Sequence, residues 1–135
     1  MIYFALSFVR QMAPLGLGHA VFCARDLIGD EPFAVILPDM LMMAKPSCLK
    51  QMVEAYAETG GNIIGVESVP EDQTHKYGIV DPVSRDGSRI VMKGMVEKPA
   101  SGTAPSNLSI SGRYILQPEI FDLLATQEKG AGGEI

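Results

Sequence analysis

The sequence predicts an α/β protein in which a mixed sheet is flanked by helices. Three observations support this fold class. Short apolar runs alternate with helical stretches, two of those stretches end at Gly29 and Gly60, and the run 33–37 is apolar without interruption. An unbroken apolar strand is typical of a parallel sheet that is covered on both faces. With 135 residues, of which 47% are hydrophobic, the chain can bury the core of one domain.

The strands are predicted from runs that are rich in apolar and β-branched residues. They cover residues 2–9, 33–37, 62–69, 78–81, 90–96 and 108–116. Residues 82–87 contain Pro, Asp and Gly, which favour a turn, so we expect this segment to join the strands on either side in an antiparallel excursion.

Three helices are predicted. Apolar positions in 18–28 fall on one stripe that ends at Gly29. In 47–59, Ser47 is expected to cap the helix and Gly60 to end it. The stripe of this second helix is Leu49, Met52, Val53, Tyr56 and Ala57. A last helix is expected with Pro118 at its first turn, continuing through Phe121 to Ala125.

Composition and charge exclude several classes of partner. The net charge is −5 and the Lys and Arg residues are scattered, which argues against nucleic acid and against an anionic membrane surface. The apolar segment 1–9 is too short for a signal sequence or a membrane span, so we expect a cytoplasmic protein. Cys23 and Cys48 lie in separate predicted helices, as in a reduced protein without a disulfide.

The segment Val96-Glu97-Lys98-Pro99 indicates sugar-phosphate chemistry. A glutamate can accept hydrogen bonds from sugar hydroxyls, and a lysine is a point charge suited to a phosphate. The alternative is a charged strand end that Pro99 closes, which is what such a triplet usually is when it stands alone. The other motifs of the sequence are needed to distinguish a sugar-phosphate site from a charged strand end.

Those motifs follow a fixed order along the chain. They are Gln11, 14–20 (PLGLGHA), 36–39 (ILPD), 75–81 (HKYGIVD), 105–108 (PSNL) and 112–114 (GRY). In this order and spacing they resemble the bacterial UTP:glucose-1-phosphate uridylyltransferases, within the sugar-phosphate nucleotidyltransferases. The resemblance runs from about Ser7 to Ile135 and implies a Rossmann-like (GT-A-like) mixed sheet, truncated at both ends. Residues 1–135 are then expected to form a partial nucleotidyltransferase domain that lacks the family's N-terminal phosphate loop and its C-terminal part.

The resemblance also implies a base site and a metal site. Gln11 carries an amide that can pair with the edge of uracil, and Gly16 permits the backbone to approach the base closely. Both match the family's uracil-reading positions, whereas Gly18 and His19 are expected to serve the start of a helix. Asp39 ends a strand at its carboxyl end, where α/β sheets place ligands, and the resemblance implies that it binds Mg²⁺.

The sugar site is expected around the Glu-Lys pair. By resemblance, the backbone of Gly78 touches the sugar, Glu97 holds glucose hydroxyls and Lys98 binds the sugar phosphate. Asn107 could add an amide to this site, although a turn residue is an equal alternative. Gly78 could likewise be no more than the glycine that opens a strand.

The implied reaction is uridylyl transfer, in nucleotide-sugar biosynthesis. An oxygen of glucose 1-phosphate attacks the α-phosphorus of UTP, giving UDP-glucose and pyrophosphate, with Asp39 and Lys98 as the catalytic residues. Without the phosphate loop we expect the isolated chain to be inactive. Two alternatives stay open. The chain could be a non-catalytic nucleotide-sugar-binding module that assembles as a homo-oligomer through an unpaired strand edge, or it could use another nucleotide or hexose phosphate.

Overall fold

The computed structural model describes residues 5–126 and 128. They form two compact units, one made of Ala34–Leu116 and the other of the described residues on either side of it. The helices are α1 (Leu17–Phe22), α2 (Arg25–Ile28), α3 (Cys48–Thr59) and α4 (Ile120–Ala125), with a 3₁₀ helix at Glu71–Lys76. The strands are β1 (Phe33–Ile36), β2 (Ile63–Ser68), β3 (Gly78–Asp86), β4 (Arg89–Glu97) and β5 (Leu108–Leu116).

Strand β5 is the centre of the sheet. The strand order is β1-β5-β3-β4, and β2 also pairs with β5. The pairs β2–β5, β3–β4 and β3–β5 are antiparallel. The prediction that β1 is covered on both faces is wrong, because half-buried and exposed residues alternate along it and Ile36 is 51% exposed. The coarser prediction, a mixed α/β protein, is confirmed.

Four predicted strands agree closely with β1, β2, β4 and β5. The strand predicted at 78–81 is longer, since β3 continues to Asp86 and the turn is confined to Gly87-Ser88. Gly87 has φ 57°, the left-handed conformation that a tight hairpin turn requires. Pro82 is tolerated inside β3 because the pairing with β4 shifts register there.

The strand predicted at 2–9 is not formed by the part of it that the structure describes. Residues 5–10 have no regular structure, and Leu6 and Phe8 are 81% and 88% exposed. No described strand pairs with this segment, so its apolar side chains find no sheet face to cover. Residues 2–4 lie outside the described part of the chain.

The helix predicted at 18–28 is two short helices. The N–H of Ala24 bonds the carbonyl of Val21, three residues back, and this tighter turn interrupts the α-helical ladder between α1 and α2. The predicted stop is confirmed, because Gly29 follows α2 with φ 66°. No helix in the described residues is long and apolar enough to cross a membrane.

Helices α3 and α4 were predicted correctly. Ser47 accepts a hydrogen bond from the N–H of Lys50 at 3.4 Å, and Gly60 ends α3 with φ 65°. The buried face of α3 is narrower than predicted, since Val53 and Ala57 are exposed and only Met52 is fully buried. In the other unit, the ring of Phe121 in α4 stacks on Phe33 with centroids 5.1 Å apart.

The core of the Ala34–Leu116 unit lies where α3 contacts β2 and β5. Its buried apolar side chains are Met52, Ile79, Val80, Leu108 and Ile115. Burying such side chains contributes about 1.5–3 kcal/mol each, so this small cluster fixes the sheet that carries the predicted sugar site.

A bulge in β5 interrupts its pairing with β2. Ile64 pairs with Tyr114 but Val66 pairs with Ile110, so Gly65 lies opposite the three-residue segment 111–113. A Cβ at Gly65 would lie 2.9 Å from Ser111 Oγ and 3.1 Å from Arg113 Cβ. The absence of a side chain at Gly65 therefore makes room for the bulge.

The bulge directs Arg113 to the end of β1. Its guanidinium, in a residue only 7% exposed, donates from Nη1 to the carbonyls of Leu37 (2.7 Å) and Gly112 (2.9 Å), and from Nη2 to the carbonyl of Met40. The N–H of Leu37 donates to Gly112 at 3.0 Å. Gly112 has φ 64°, and a Cβ there would lie 3.0 Å from the Leu37 side chain. Arg113 thus ties the turn that follows β1 to β5.

We predict that Gly65→Ala destabilises the chain by about 1–3 kcal/mol, the usual cost of forcing an extra methyl into a packed site. Urea unfolding followed by circular dichroism measures this change. Gly94→Ala is the matched control, because a Cβ at Gly94 meets no atom within 4 Å. Equal unfolding free energies for the two variants would contradict the packing described at the bulge.

Candidate functional site

Gly78 and Glu97 face each other at the junction of β3 and β4. The two residues are paired across these strands. Because Ile79 pairs with Ser109 of β5, Ile110 lies next to Gly78 on its other side, so Glu97, Gly78 and Ile110 are neighbours across three strands. A Cβ at Gly78 would lie 2.9 Å from Glu97 Oε2 and 3.3 Å from Ile110 Cδ1. The carboxylate of Glu97 therefore lies over the backbone of Gly78, and a side chain at residue 78 would displace it.

Lys98 has a left-handed backbone with φ 45°, the single non-glycine residue with positive φ in the described part of the chain. A residue before proline is restricted to extended conformations, so this geometry stores strain of the kind found at functional sites. The N–H of Lys98 donates to the carbonyl of Tyr77 at 3.0 Å, and this hydrogen bond joins the residue after β4 to the residue before β3. Lys98 Nζ lies 3.8 Å from Glu97 Oε1, with both side chains more than half exposed.

Tyr114 is a residue of this region to which the sequence analysis gave no role. Burial of its ring, together with the negative charge of Glu97, raises the pKa of the Tyr114 phenol above its usual value. The phenol is therefore protonated at neutral pH and lies within electrostatic reach of the Glu97 carboxylate. The sequence signal for Tyr114 was the segment Gly112-Arg113-Tyr114, which is one of the motifs that carry the family resemblance but had no function assigned to it.

Asp39 lies in the turn after β1 and is exposed. The carbonyls of Leu37 and Met40, on either side of it, are held by Arg113. A carboxylate in a fixed turn fits Mg²⁺, which takes one or two carboxylates and completes its shell with phosphate oxygens and water. Within the described residues, no three His, Cys, Asp or Glu side chains cluster as a metal site.

Asn107 lies in a bend immediately before β5 and is exposed. Its carbonyl accepts a hydrogen bond from the N–H of Val69 at 2.9 Å, and the adjacent Ser106 Oγ donates to the carbonyl of Val80 at 2.7 Å. These two hydrogen bonds connect the segment before β5 to the end of β2 and to β3. Among the described hydrogen bonds, none joins the Asn107 amide to Glu97 or Lys98, so its place in the sugar site stays a prediction.

Gln11 and Gly16 are brought together in the other unit. Gln11 Nε2 donates to the carbonyl of Gly16 at 2.9 Å, and it lies 2.9 Å from His19 Nδ1. Gly16 has φ 111° and comes directly before α1. His19 lies in the first turn of α1, as expected, but its contact with Gln11 was not predicted from the sequence. A contact that spans eight residues through an irregular loop leaves no periodic signal in the sequence.

A cavity of about 690 Å³ in the Ala34–Leu116 unit lies away from these residues. Its walls come from the end of α3, from β2 and from the β3–β4 hairpin, and include Gly60, Ile64 and Arg89. None of the predicted site residues lines it. The candidate site is therefore defined by the chemistry of its side chains and not by the volume of this cavity.

Comparison with known proteins assigns a family to the chain. Residues 3–134 match the model of the nucleotidyl transferase family. The UTP–glucose-1-phosphate uridylyltransferase of Bacillus subtilis is 55% identical over 130 residues, which are 96% of this chain and 44% of that protein. The chain thus spans less than half the length of this curated relative.

Two solved structures have the same fold. The structure of an apo UDP-glucose pyrophosphorylase matches with a TM-score of 0.90 and 44% identity, over 96% of this chain and 48% of the other. A UDP-glucose pyrophosphorylase complexed with UDP-glucose matches with a TM-score of 0.88 and 42% identity, over 95% of this chain and 49% of the other. The resemblance inferred from the motifs is confirmed, and the chain belongs to the nucleotidyl transferase family as a homologue of part of the UTP–glucose-1-phosphate uridylyltransferases.

Proposed function

We propose that this chain supplies sugar-phosphate, uracil and metal contacts for uridylyl transfer from UTP to glucose 1-phosphate, which gives UDP-glucose and pyrophosphate. The observation that carries the proposal is the carboxylate of Glu97 over Gly78, next to the strained backbone of Lys98. It is supported by the fold shared with a relative that was solved as a complex with UDP-glucose.

Glu97 would bind the sugar, and Lys98 would bind its phosphate. The Glu97 carboxylate accepts hydrogen bonds from glucose hydroxyls, and Gly78, which has no side chain, leaves room for that carboxylate beside the sugar. Lys98 places a positive charge on the phosphate that attacks UTP. Phosphoryl and nucleotidyl transfers depend on such positioning and charge neutralisation more than on covalent help from the protein.

Gln11 and Gly16 would read the base. Among the described residues, the N–H of Gly16 has no hydrogen-bond partner, so it can donate to a carbonyl of uracil. The amide of Gln11, held against the same residue, can pair with the N3 position between the two uracil carbonyls.

Asp39 would hold Mg²⁺, which supplies positive charge at the α-phosphate when it is bound. The chain's own contribution is to hold the turn that carries this carboxylate. Arg113 does so by binding the carbonyls of Leu37 and Met40 on both sides of the turn. Asp39 and Lys98 are accordingly the residues proposed to act on the reacting phosphates.

Homo-oligomerisation and a cytoplasmic location stay predictions. Strand β4 ends the described strand order, and its Val91 and Met95 are 61% and 51% exposed. An exposed edge of this kind can pair with another chain, which favours a self-assembling fragment as the second candidate. Sedimentation over a range of concentrations distinguishes the two, because a stable monomer at high concentration contradicts assembly.

We predict that Gly78→Ala weakens binding of glucose 1-phosphate by about tenfold or more. The added methyl displaces the Glu97 carboxylate, and losing one hydrogen bond to a charged group costs about 1.5–3 kcal/mol. Isothermal titration calorimetry measures the change, with Gly94→Ala as the control on the same hairpin. If both variants bind the sugar phosphate as the unmodified chain does, the carboxylate over Gly78 is not the sugar contact.

We also predict that Asp39→Asn reduces the affinity for Mn²⁺, a spectroscopic substitute for Mg²⁺, in the presence of UDP-glucose. An amide oxygen lacks the negative charge that a hard cation favours, so a loss of about tenfold is expected, equivalent to about 1.4 kcal/mol. Electron paramagnetic resonance reports the free Mn²⁺. Asp72→Asn, at an exposed residue of the 3₁₀ helix, is the control. Equal Mn²⁺ affinity for the two variants would remove Asp39 from the metal site.

A further inference from the structure

The side-chain amide of Gln11 can take only one orientation. Its Nε2 lies 2.9 Å from the carbonyl oxygen of Gly16. If the amide were rotated by half a turn, Oε1 would face that carbonyl at the same distance, and two acceptors would repel each other. The nitrogen therefore lies on the side of Gly16, and Oε1 lies on the opposite side of the amide carbon.

His19 strengthens this orientation. Its Nδ1 lies 2.9 Å from the same Nε2, so the two hydrogens of the amide nitrogen have two acceptors, the carbonyl of Gly16 and the imidazole of His19. Nδ1 can accept only when it carries no proton, which requires the neutral imidazole with its proton on Nε2. Among the described residues, no donor pairs with Gln11 Oε1.

We propose that His19 is a positioning residue for base selection: it accepts from Gln11 Nε2 and so presents Gln11 Oε1 as an acceptor to the N3–H of uracil. This inference rests on the proposed function of Gln11 and adds the reason why uracil is preferred. Uracil carries a hydrogen on N3, which Oε1 accepts. Cytosine carries a lone pair on N3, which Oε1 repels.

The proposal concerns discrimination between bases and not the strength of binding alone. A site built to pair with one hydrogen rejects an analogue that lacks it, because a polar group of the site is then left unpaired. The unmodified chain is therefore expected to bind UDP-glucose at least about tenfold more tightly than CDP-glucose. A variant that only disturbs α1 would weaken both ligands equally and leave this ratio unchanged.

Two substitutions at His19 test the role. His19→Phe keeps a ring but removes the acceptor, so the UDP-glucose to CDP-glucose affinity ratio should fall by about threefold to tenfold, the worth of one neutral hydrogen bond. His19→Asn can place a carbonyl oxygen near the position of Nδ1 and should retain the ratio. His75→Phe, at an exposed residue of the 3₁₀ helix, is the matched control. Calorimetry gives both affinities for each variant.

The tautomer of His19 gives a readout that needs no ligand. Nitrogen-15 NMR of the imidazole at about pH 8, where free histidine is neutral, should show the proton on Nε2. The spectrum of His75→Phe identifies the His19 signals, since the chain has two histidines.

The outcomes separate this inference from the function on which it rests. A ratio that falls in His19→Phe but not in His19→Asn, with the proton on Nε2, supports the role. An unchanged ratio in His19→Phe, or a proton on Nδ1, overturns it and leaves the proposed function standing. If the unmodified chain binds no UDP-glucose, or binds CDP-glucose equally well, the proposed base site fails and this role fails with it.

Discussion

The pairing of β5 with its neighbours, and the bulge inside it, is the constraint on which the candidate sugar and metal sites depend. β5 pairs with β1, β2 and β3, so three strands take their positions from it. The bulge directs Arg113 to the backbone carbonyls on either side of Asp39. Gly78 and Glu97 lie side by side, and Ile110 of β5 is next to Gly78. The backbone segments that carry the two sites therefore take their positions from one strand, and a change in its register would separate them.

The sequence predicted those parts of the fold that short-range patterns determine. Apolar runs placed β2, β4 and β5, and a capping serine and a terminal glycine placed α3. The bulge was not predictable in this way, because it depends on Gly65 lying opposite 111–113, a long-range pairing that no local window contains. The break between α1 and α2 falls inside an uninterrupted apolar stripe, so periodicity alone predicted one helix there. The exposed segment 5–10 has strand-like composition, but composition does not supply a pairing partner.

In the candidate site, too, some residues could be predicted from the sequence and others could not. Glu97, Lys98 and Gly78 were predicted from residue type, order and resemblance, and they are neighbours at the open end of the β3–β4 hairpin. Gln11 and Gly16 were found in the same way and are hydrogen bonded. The residues that the sequence did not reveal are those that act through a neighbour: His19 on Gln11, and Arg113 on the turn around Asp39. Such roles depend on where a side chain points, which residue type and spacing do not determine.

The central claim is that a hexose phosphate binds where Glu97 crosses Gly78. Amide chemical shifts recorded by NMR during a titration with glucose 1-phosphate test it most directly. The account predicts that the amides of Gly78 and Lys98 shift together and saturate at one dissociation constant, while Gly87 at the far end of the hairpin does not move. Shifts confined to the cavity around Gly60 and Ile64, or no saturable shift at Gly78 and Lys98, would contradict it.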